Sequence, residues 1–418
     1  MKIYKNAKLR QKKGLFDIWV DGEQIVSIRP HEENTENKEN IEEYDVEGRL
    51  VSEPYVESHI HLDYVYTADP VNEAESGTLF EAIDKWSDSK SAFTIEYVKE
   101  LIYKGIYAEM SNGVQYIRTH IDVTDPNLTA LKAMLEVKEE VKDYLYLQII
   151  AFPQEGYYAY EGGDKLVEEA LKMGADVVGG IPHYEFTKEL GEKSVKKAFE
   201  LAAKYDRLVD IHCDETDDSE SRFVENIAAE AFYTGLGNRA TASHTCAMSS
   251  YNNAYAFKMM SKFKKSGINF VSCPTENCYL QGKYDGYPRK RGITRVDELL
   301  QAGCNVSFAQ DSISDPWYPL GNGNLIHQVD FGIHLGHMMS PEEISHGLDF
   351  ITVNGAKTLH IDDQYGIKEG GKASFIILDA TSEAEAIRQR VKITLSVHNG
   401  KEIFEREPEH IVKNLPFL

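Results

Sequence analysis

Short apolar runs, rich in β-branched residues, alternate with longer amphipathic segments over most of the chain. Eight such runs span residues 51–61, 113–123, 146–152, 175–182, 208–213, 240–244, 268–273 and 305–309. After the first gap, successive runs begin roughly 30 residues apart, which is about the length of a βα unit. The segments between them carry apolar residues at i, i+3 and i+4, a spacing typical of amphipathic helices.

Eight strands that alternate with helices predict an α/β fold, a (β/α)8 barrel of the TIM type, over residues 55–365. The gap between the first two runs, residues 63–93, is long enough for an insertion near the top of the barrel. Both chain ends, residues 1–54 and 366–418, consist of short β-like runs separated by turns. We expect the two ends to form one small β-sandwich domain together.

The amino-acid composition mainly excludes classes of protein. The chain has 418 residues, of which 42% are apolar, so a large core is expected. Its 45 basic and 68 acidic residues give a net charge of −23, which repels nucleic acid. No apolar run reaches the ~18 residues of a membrane span, and no signal core follows the basic N-terminus. Five cysteines, an odd number, do not indicate a disulfide framework, so we expect a reduced, cytoplasmic protein.

Candidate chemistry is expected at the carboxyl ends of the barrel strands, where such folds carry their reactive groups. The first strand ends in His59 and His61, and because side chains alternate along a strand, both imidazoles face the same side. Two imidazoles so placed can reach one metal ion at ~2.1 Å. His212 ends the fifth strand, Glu215 follows it, and His244 ends the sixth.

The eighth strand ends in Asp311, which can bind a metal and accept a proton from an attacking water. Four strand ends therefore offer histidine or carboxylate at one rim, and coincidence explains this poorly. Neutral imidazoles with a carboxylate suit one divalent ion, either Zn2+ or Fe2+. The fourth strand region, residues 177–184, contains no lysine. A carboxylated lysine bridging two metals is therefore not expected, which favours a one-metal site.

These residues also carry a resemblance to a known family. His59-x-His61, His212, His244 and Asp311 resemble the amidohydrolase superfamily. Longer stretches between about residues 54 and 366 resemble its bacterial cytosine deaminase subgroup, and they are HIHLD at 59–63, SGTLF at 76–80, LTALKAMLEVK at 128–138, AFPQEG at 151–156, HCDE at 212–215 and DPWYPLG at 315–321.

The resemblance implies a role for each matching residue. It implies four metal ligands, which are His59, His61, His212 and Asp311. Glu215 matches the glutamate that carries a proton to the ring nitrogen, and His244 matches the histidine that supports the attacking hydroxide. Gln154 matches the glutamine that binds the ring carbonyl and its neighbouring nitrogen, and Trp317 matches an aromatic wall of the pocket.

Two departures from the cytosine deaminase pattern affect the residues expected around the substrate. Cytosine deaminases carry His-Asp-Asp in strand eight, whereas this chain has Gln310-Asp311-Ser312, so the second aspartate, a pocket residue, is replaced by Ser312. After strand seven, a segment that is more apolar in the family places Glu276 near the rim here. We expect Gln310, Ser312 and Glu276 to contribute to substrate binding. The chain also resembles the creatinine deaminases of the same subgroup.

We predict a metal-dependent hydrolytic deaminase that releases ammonia from a small cyclic amidine. The candidate substrates are creatinine, converted to N-methylhydantoin, and cytosine, converted to uracil. Two alternatives remain open: an amidohydrolase that opens a cyclic amide, of the hydantoinase or dihydroorotase type, and a catalytically silent barrel that acts as a binding protein. The expected partner is a small-molecule substrate, and neither nucleic acid nor membrane is expected. We expect a homo-oligomer, because oligomers are common among relatives.

Overall fold

A computed structural model describes residues 1–32, 41–68 and 75–407. The chain divides into two compact units, one formed by Met1–Pro54 with Gln364–Leu418 and the other by Tyr55–Asp363. The strands are β1 (Lys2–Leu9), β2 (Phe16–Asp21), β3 (Gln24–Pro30), β4 (Glu42–Asp45), β5 (Leu50–Ser52), β6 (Tyr55–Ile60), β7 (Val114–Asp122), β8 (Tyr146–Phe152), β9 (Val177–Val178), β10 (Leu208–Cys213), β11 (Ala240–His244), β12 (Asn269–Ser272), β13 (Asn305–Phe308), β14 (Phe375–Leu378), β15 (Ile393–His398) and β16 (Lys401–Glu405).

Of the helices in the described residues, all but the last lie in the second unit, and the last lies in the unit formed by the chain ends. They are α1 (Leu79–Lys90), α2 (Ile95–Met110), α3 (Thr129–Val141), α4 (Gly163–Met173), α5 (Lys188–Tyr205), α6 (Phe223–Thr234), α7 (Asn253–Ser266), α8 (Pro274–Leu280), α9 (Val296–Gln301), α10 (Leu325–Leu335), α11 (Pro341–Ser345), α12 (Val353–Leu359) and α13 (Glu383–Gln389). Within the described ranges, no helix is both long and apolar enough to cross a membrane.

The second unit is a barrel of parallel strands. Strands β6 to β13 pair in sequence order, and a parallel bridge between Ile60 and Asp311 joins the last strand region to the first. The predicted α/β barrel, with a separate sheet formed by the chain ends, is therefore confirmed. Since the carboxyl ends of all eight strands point to one rim, the residues that follow them meet there.

Local sequence signals place the helices between these strands, and α7 shows how. The Asn252 side chain accepts a hydrogen bond from the Tyr255 N–H and caps the first turn. Met259 and Phe263, four residues apart, are buried on one face of the helix. Gly267 has a φ of 73° and ends the helix, so the chain turns directly into β12.

The fourth strand is much shorter than the pattern predicts. Only Val177–Val178 forms β9, whereas the apolar run covers residues 175–182. The next residue, Gly179, packs so closely that a Cβ would lie 2.7 Å from the Ala151 carbonyl oxygen. Pro182 then begins a short 3-10 turn, because it has no N–H to continue the strand ladder. The apolar run is thus shared between a strand and a turn.

The terminal unit has a core shared by both chain ends. Strand β1 pairs with β2, with β4 and with β5, so it connects the two halves of one eight-stranded sheet. The β-like runs at the chain ends cover residues 15–20, 24–29, 44–46, 373–378 and 391–397, so the sequence pattern predicted neither β1 nor β16. The lysines of β1 hid its strand character, but they face partners in β4: Lys2 Nζ lies 2.7 Å from Glu42 and Lys5 Nζ 2.7 Å from Glu43. The shared core consists of Tyr4, Ala7, Leu9, Ile18, Val20, Ile25, Val46, Val51, Ala373, Phe375, Ile377, Leu395 and Val397.

The predicted insertion at residues 63–93 contains helix α1. Thr78 caps this helix by accepting a hydrogen bond from the Glu81 N–H, and Ile83 and Trp86 are buried on its inner face. Residues 69–74 of the insertion lie outside the described residues. The Trp86 side chain donates a hydrogen bond of 2.8 Å to Asp122 at the end of β7, which ties the insertion to the rim of the barrel.

Candidate active site

The four predicted metal ligands lie together at the mouth of the barrel. One ring nitrogen from each of His59, His61 and His212 lies within 4.8 Å of the other two, and His61 Nε2 is 3.0 Å from His212 Nε2. Asp311 follows β13, and its Oδ1 is 3.5 Å from His59 Nε2 and 3.6 Å from His61 Nε2. The four side chains therefore converge on a common point, called the metal point below.

The residues at the metal point fit a divalent ion. His59 Nε2 and Asp311 Oδ2 are buried, and no hydrogen-bond partner for them exists in the described part of the chain. Burial lowers the pKa of His59, His61 and His212 well below the ordinary value, so these imidazoles keep a free lone pair at neutral pH. Three neutral nitrogens and a carboxylate oxygen form a donor set that suits Zn2+ or Fe2+.

The barrel closes where the ligands lie. The Asp311 N–H donates to the His59 carbonyl at 2.9 Å, and the His61 N–H donates to the Asp311 carbonyl at 3.2 Å. The Glu57 carboxylate spans this seam, since Oε1 accepts from the His59 N–H and Oε2 from the Gln310 N–H, both at 2.9 Å. These bonds fix the backbone of three ligands. Sequence reasoning missed Glu57, although its spacing of two residues from His59 marks the same strand face.

A chain of hydrogen bonds behind the ligands orients His59. Its Nδ1 lies 3.0 Å from Ser243 Oγ, the Ser243 hydroxyl donates to Asp210 Oδ1 at 2.6 Å, and Arg118 Nη1 donates to Asp210 Oδ2 at 3.0 Å. Such partners fix which nitrogen of a ligating histidine faces the metal, here Nε2. Sequence reasoning missed all three partners. The spacing of two residues between Asp210 and His212 is the signal that places both on the inner face of β10.

His244 ends β11 and lies between two carboxyl groups. Its Nδ1 is 3.7 Å from Glu215 Oε1 and 3.6 Å from Asp311 Oδ2. The Asn277 side chain donates from Nδ2 to the same Nδ1 at 3.1 Å, while Asn277 Oδ1 accepts from the Cys273 N–H at 3.0 Å. Asn277 therefore fixes the ring of His244. Sequence reasoning missed Asn277, because nothing in the local pattern distinguishes it from a turn residue.

Buried acids surround the metal point. Burial raises the pKa of Glu215, Glu276 and Asp311 well above the ordinary carboxyl value, and neighbouring carboxylates raise each pKa further. A carboxyl group whose pKa is raised in this way can hold a proton and release it, which general acid–base catalysis requires. The mouth therefore combines metal donors with groups that can carry protons.

Aromatic rings form the wall beside the metal point. Trp317 stacks on Tyr64 with ring centroids 4.5 Å apart, and Tyr64 stacks on His61 at 4.6 Å. Gln154 follows β8 and is buried, and its Oε1 has no hydrogen-bond partner among residues 1–32, 41–68 and 75–407. A flat wall and a free amide oxygen suit a planar ring with polar edges.

The three remaining predicted residues, Gln310, Ser312 and Glu276, differ in how their surroundings bond them. Gln310 Nε2 donates to the Ser312 carbonyl at 3.0 Å, and Gln310 Oε1 accepts from the Gly323 N–H at 3.2 Å. Gln310 therefore holds the segment that carries Ser312, with both ends of its carboxamide bonded to backbone. Glu276 lies in the first turn of α8 and keeps its Oε2 unpaired within the described chain.

Two further histidines near the metal point were not predicted. The ring of His120, in β7, lies with its centroid 3.9 Å from that of His59 and 4.6 Å from that of His212. His183 lies in the turn after β9, and burial lowers its pKa to about 4. The alternation of residues along the predicted second strand could have identified His120 as an inward-facing residue.

The fold and the site together define a class of protein. A barrel with a metal donor set and proton carriers at its mouth is an arrangement suited to metal-assisted hydrolysis. A model of the Amidohydrolase family matches residues 42–404. The chain belongs to the amidohydrolase family, a family of metal-dependent enzymes. The predictions of this family and of an enzyme that hydrolyses C–N bonds are confirmed.

Particular relatives narrow the class further. The chain is similar to the crystal structure of 5-methylcytosine deaminase from Klebsiella pneumoniae liganded with 5-fluorocytosine, with 48% identity, a TM-score of 0.95, and 98% of this chain and 99% of that one covered. It is 29% identical to N-isopropylammelide isopropyl amidohydrolase of Pseudomonas sp. (strain ADP), covering 97% of each chain. It is 25% identical to pterin deaminase of Rhizobium rhizogenes, covering 88% of this chain and 83% of that one.

Proposed function

We propose that this protein is a metal-dependent deaminase of cytosine-type pyrimidines, with cytosine and 5-methylcytosine as substrates and ammonia as a product. The observation that carries the proposal is the convergence of three imidazoles and Asp311 on one point, with Glu215 and His244 beside it. The similarity to the Klebsiella enzyme named for 5-methylcytosine supports the pyrimidine class. The similarity to a pterin deaminase supports the release of ammonia from a related ring.

The ligand set would hold one divalent ion, Zn2+ or Fe2+, which when bound acidifies water and so supplies a nucleophile at neutral pH. Asp311 takes one proton of the attacking water at Oδ2, while His244 holds the attacking oxygen by a hydrogen bond. Glu215 donates its proton to the ring nitrogen, which makes the amidine carbon more electrophilic. The oxygen then adds to that carbon.

Two proton transfers complete the reaction. Asp311 gives its proton to the amino nitrogen, the C–N bond breaks, and ammonia leaves. The new hydroxyl returns its proton to Glu215 as the ring carbonyl forms. Both carboxyl groups therefore end in the state in which they began, and the water has supplied the carbonyl oxygen and two protons. Gln154, with its free Oε1, would bind the opposite edge of the ring, and Trp317 would pack beside its face.

The residue in place of the second aspartate supports an enlarged pyrimidine range. Ser312 is smaller than an aspartate and carries no charge. We infer that it leaves space beside the ring for a methyl group that an aspartate would exclude. A difference of one methylene or methyl group is worth about 10- to 200-fold in discrimination.

An ammonia-release panel tests the proposal. Cytosine, 5-methylcytosine, creatinine and isoguanine are offered to Zn-loaded and Fe-loaded protein. We expect ammonia from both cytosines, and we expect Ser312→Asp to lower the preference for 5-methylcytosine over cytosine by about 10-fold or more. Gln310→His, at the same strand end, is run in the same panel and tests whether strand eight sets the choice of substrate.

Other outcomes of the panel would contradict the proposal. Release of ammonia from creatinine alone would show that the substrate is the smaller amidine, creatinine, and not a pyrimidine. A new carboxylate without ammonia would indicate ring opening, which the absence of a lysine in residues 177–184 disfavours. No product from any ring, with metal bound, would favour a binding protein.

We also propose a cytoplasmic location and a homo-oligomeric state. Cys213, Cys246, Cys273, Cys278 and Cys304 are free thiols, which supports a reducing compartment. Light scattering on the purified protein would test the oligomeric state.

A further inference from the structure

The first turn of α8 brings an unexplained acid into the pocket. Glu276 is 3% exposed, and its Oε2 has no hydrogen-bond partner among the described residues. The carboxyl groups of Asp311 and Asp315 act on it electrostatically, and the Ser312 side chain lies within hydrogen-bonding reach of it. Across residues 1–32, 41–68 and 75–407, no lysine or arginine forms an ion pair with it. A buried acid without a cation lowers stability, so a ligand that satisfies its free oxygen is the simplest reason for its presence.

Glu276 lies beside Ser312, the position of strand eight that carries no carboxylate. Strand eight has one carboxylate, Asp311, followed by Ser312, whereas the cytosine deaminase pattern has two consecutive aspartates. Strand seven is followed by Glu276, and the structure brings its side chain against Ser312. A carboxylate therefore reaches Ser312 from the helix that follows the neighbouring strand, and the position next to Asp311 in sequence carries a small neutral side chain.

The edges of the substrate indicate what the free oxygen binds. A cytosine-type ring offers a carbonyl, ring nitrogens and an exocyclic amino group. Gln154 would bind the carbonyl edge and Glu215 the ring nitrogen, so the amino N–H groups still need an acceptor. That acceptor must lie near Asp311, which acts at the same carbon, and near Glu215, which acts at the adjacent nitrogen. Glu276 interacts with both residues.

We propose that Glu276 accepts a hydrogen bond from the exocyclic amino group and so selects rings that carry a free amine as the leaving group. This inference rests on the proposed deaminase function. A carboxyl oxygen accepts this bond whether or not the group is protonated, so the role needs no particular charge state. A ring without the amino group would leave Oε2 unpaired and gain nothing from Glu276.

The test compares ligands with and without the amino group. Glu276→Leu has a similar volume but no acceptor, and we expect kcat/KM for cytosine to fall by about 10- to 100-fold. We expect the dissociation constant of 2-pyrimidinone, which lacks the amino group, to stay unchanged when measured by calorimetry. Glu276→Gln keeps an acceptor oxygen, and we expect it to recover most of the activity that the leucine variant loses.

Two controls separate this role from a general effect on the fold. Metal content and thermal unfolding are measured for each variant. Glu342→Leu makes the same change at an exposed glutamate in the first turn of α11 and is expected to behave as the wild type. Should the leucine variant fold poorly, Glu276→Gln and Glu276→Ala are compared by the same two ligands.

Each outcome decides the matter. A loss confined to amine-bearing ligands supports the role of Glu276. An equal loss for cytosine and 2-pyrimidinone, or no loss for either, overturns it while the deaminase function stands. If the wild-type protein releases ammonia from no pyrimidine, the proposed function fails, and this inference fails with it.

Discussion

Two polar clusters lie buried in the same barrel, and only one of them is satisfied by the protein itself. Arg118 is buried in β7, and each nitrogen of its guanidinium has a partner: Nε donates to Gln148 at 2.7 Å, Nη1 to Asp210 at 3.0 Å and Nη2 to the Thr358 carbonyl at 2.7 Å. At the mouth, each of four acids keeps a carboxyl oxygen without a hydrogen-bond partner in the described chain, and these are Glu215, Glu276, Asp311 and Asp315.

The difference separates a cluster that supports the ligands from behind from the groups at the mouth that can meet a metal or a substrate. Buried polar groups are nearly always hydrogen-bonded, and a satisfied network such as that of Arg118 stabilises and orders its surroundings. Unpaired acids with raised pKa values, such as Asp315, whose pKa burial raises to about 7, are expected where a metal or substrate completes the set. Removing a member of the Arg118 cluster should therefore lower stability, whereas removing an acid at the mouth should lower activity and leave stability unchanged or higher.

The largest effect is expected for Arg118→Met. This change leaves Asp210 buried without its cation, which should lower the free energy of unfolding by about 3–5 kcal/mol. Urea unfolding of the metal-loaded protein, followed by circular dichroism, measures the change. The double variant Arg118→Met/Asp210→Asn removes both charges and should recover part of the loss. A single variant as stable as the wild type would remove the distinction between the two clusters.

Glu215→Gln should show the reverse pattern. We expect kcat to fall by about 100-fold or more, which is about 2.7 kcal/mol in activation free energy, because the amide cannot carry the proton. Stability should be unchanged or higher, since one acid leaves a group of mutually repelling acids. Steady-state ammonia release, metal analysis and urea unfolding are measured together. Turnover close to that of the wild type would exclude Glu215 as the proton carrier.

The smallest effect concerns a buried histidine outside the mouth. Burial, with a smaller contribution from Lys372 and Lys401, lowers the pKa of His398 in β15 to about 4. The unfolded chain, with a histidine pKa near 6.5, binds this proton first, so stability falls as pH drops from about 6.5 towards 4. By pH 5 the loss is about 2 kcal/mol.

His398→Asn should therefore flatten the acid side of the stability profile. Urea unfolding at pH 7, 6 and 5 measures the slope for the wild type and the variant. His337→Asn, at an exposed histidine, is the matched control and should follow the wild-type curve. If the variant loses stability in acid as steeply as the wild type, the acid sensitivity originates elsewhere, and the histidines of the mouth are the next candidates.

The sequence predicted those parts of the molecule that depend on local pattern. Continuous apolar runs, separated by amphipathic segments, predicted the barrel strands, because a strand that is buried on both faces needs apolar residues at successive positions. Histidines two residues apart predicted that His59 and His61 share a face. The pattern overlooked β1, because its lysines resemble an exposed tail, and it overestimated β9, because a glycine–proline segment ends that strand early.

The residues that sequence reasoning missed act through partners far away in the chain. Glu57 bonds to Gln310 across the seam of the barrel. Asn277 orients His244, and Arg118 reaches the ligands through Asp210. A single sequence contains no signal for such pairs, because their spacing along the chain has no period and depends on which strands become neighbours.

By itself, the sequence determined that strands and helices alternate in the barrel and which chemical types end the strands that carry the site. Covalent spacing and side-chain alternation are sufficient for that. Only the tertiary structure decided which polar atoms remain unpaired, because this depends on every neighbour brought in by folding. Glu276 shows the difference: its presence near the rim is evident from the chain, but its free oxygen beside Asp311 exists only once strands seven and eight lie side by side.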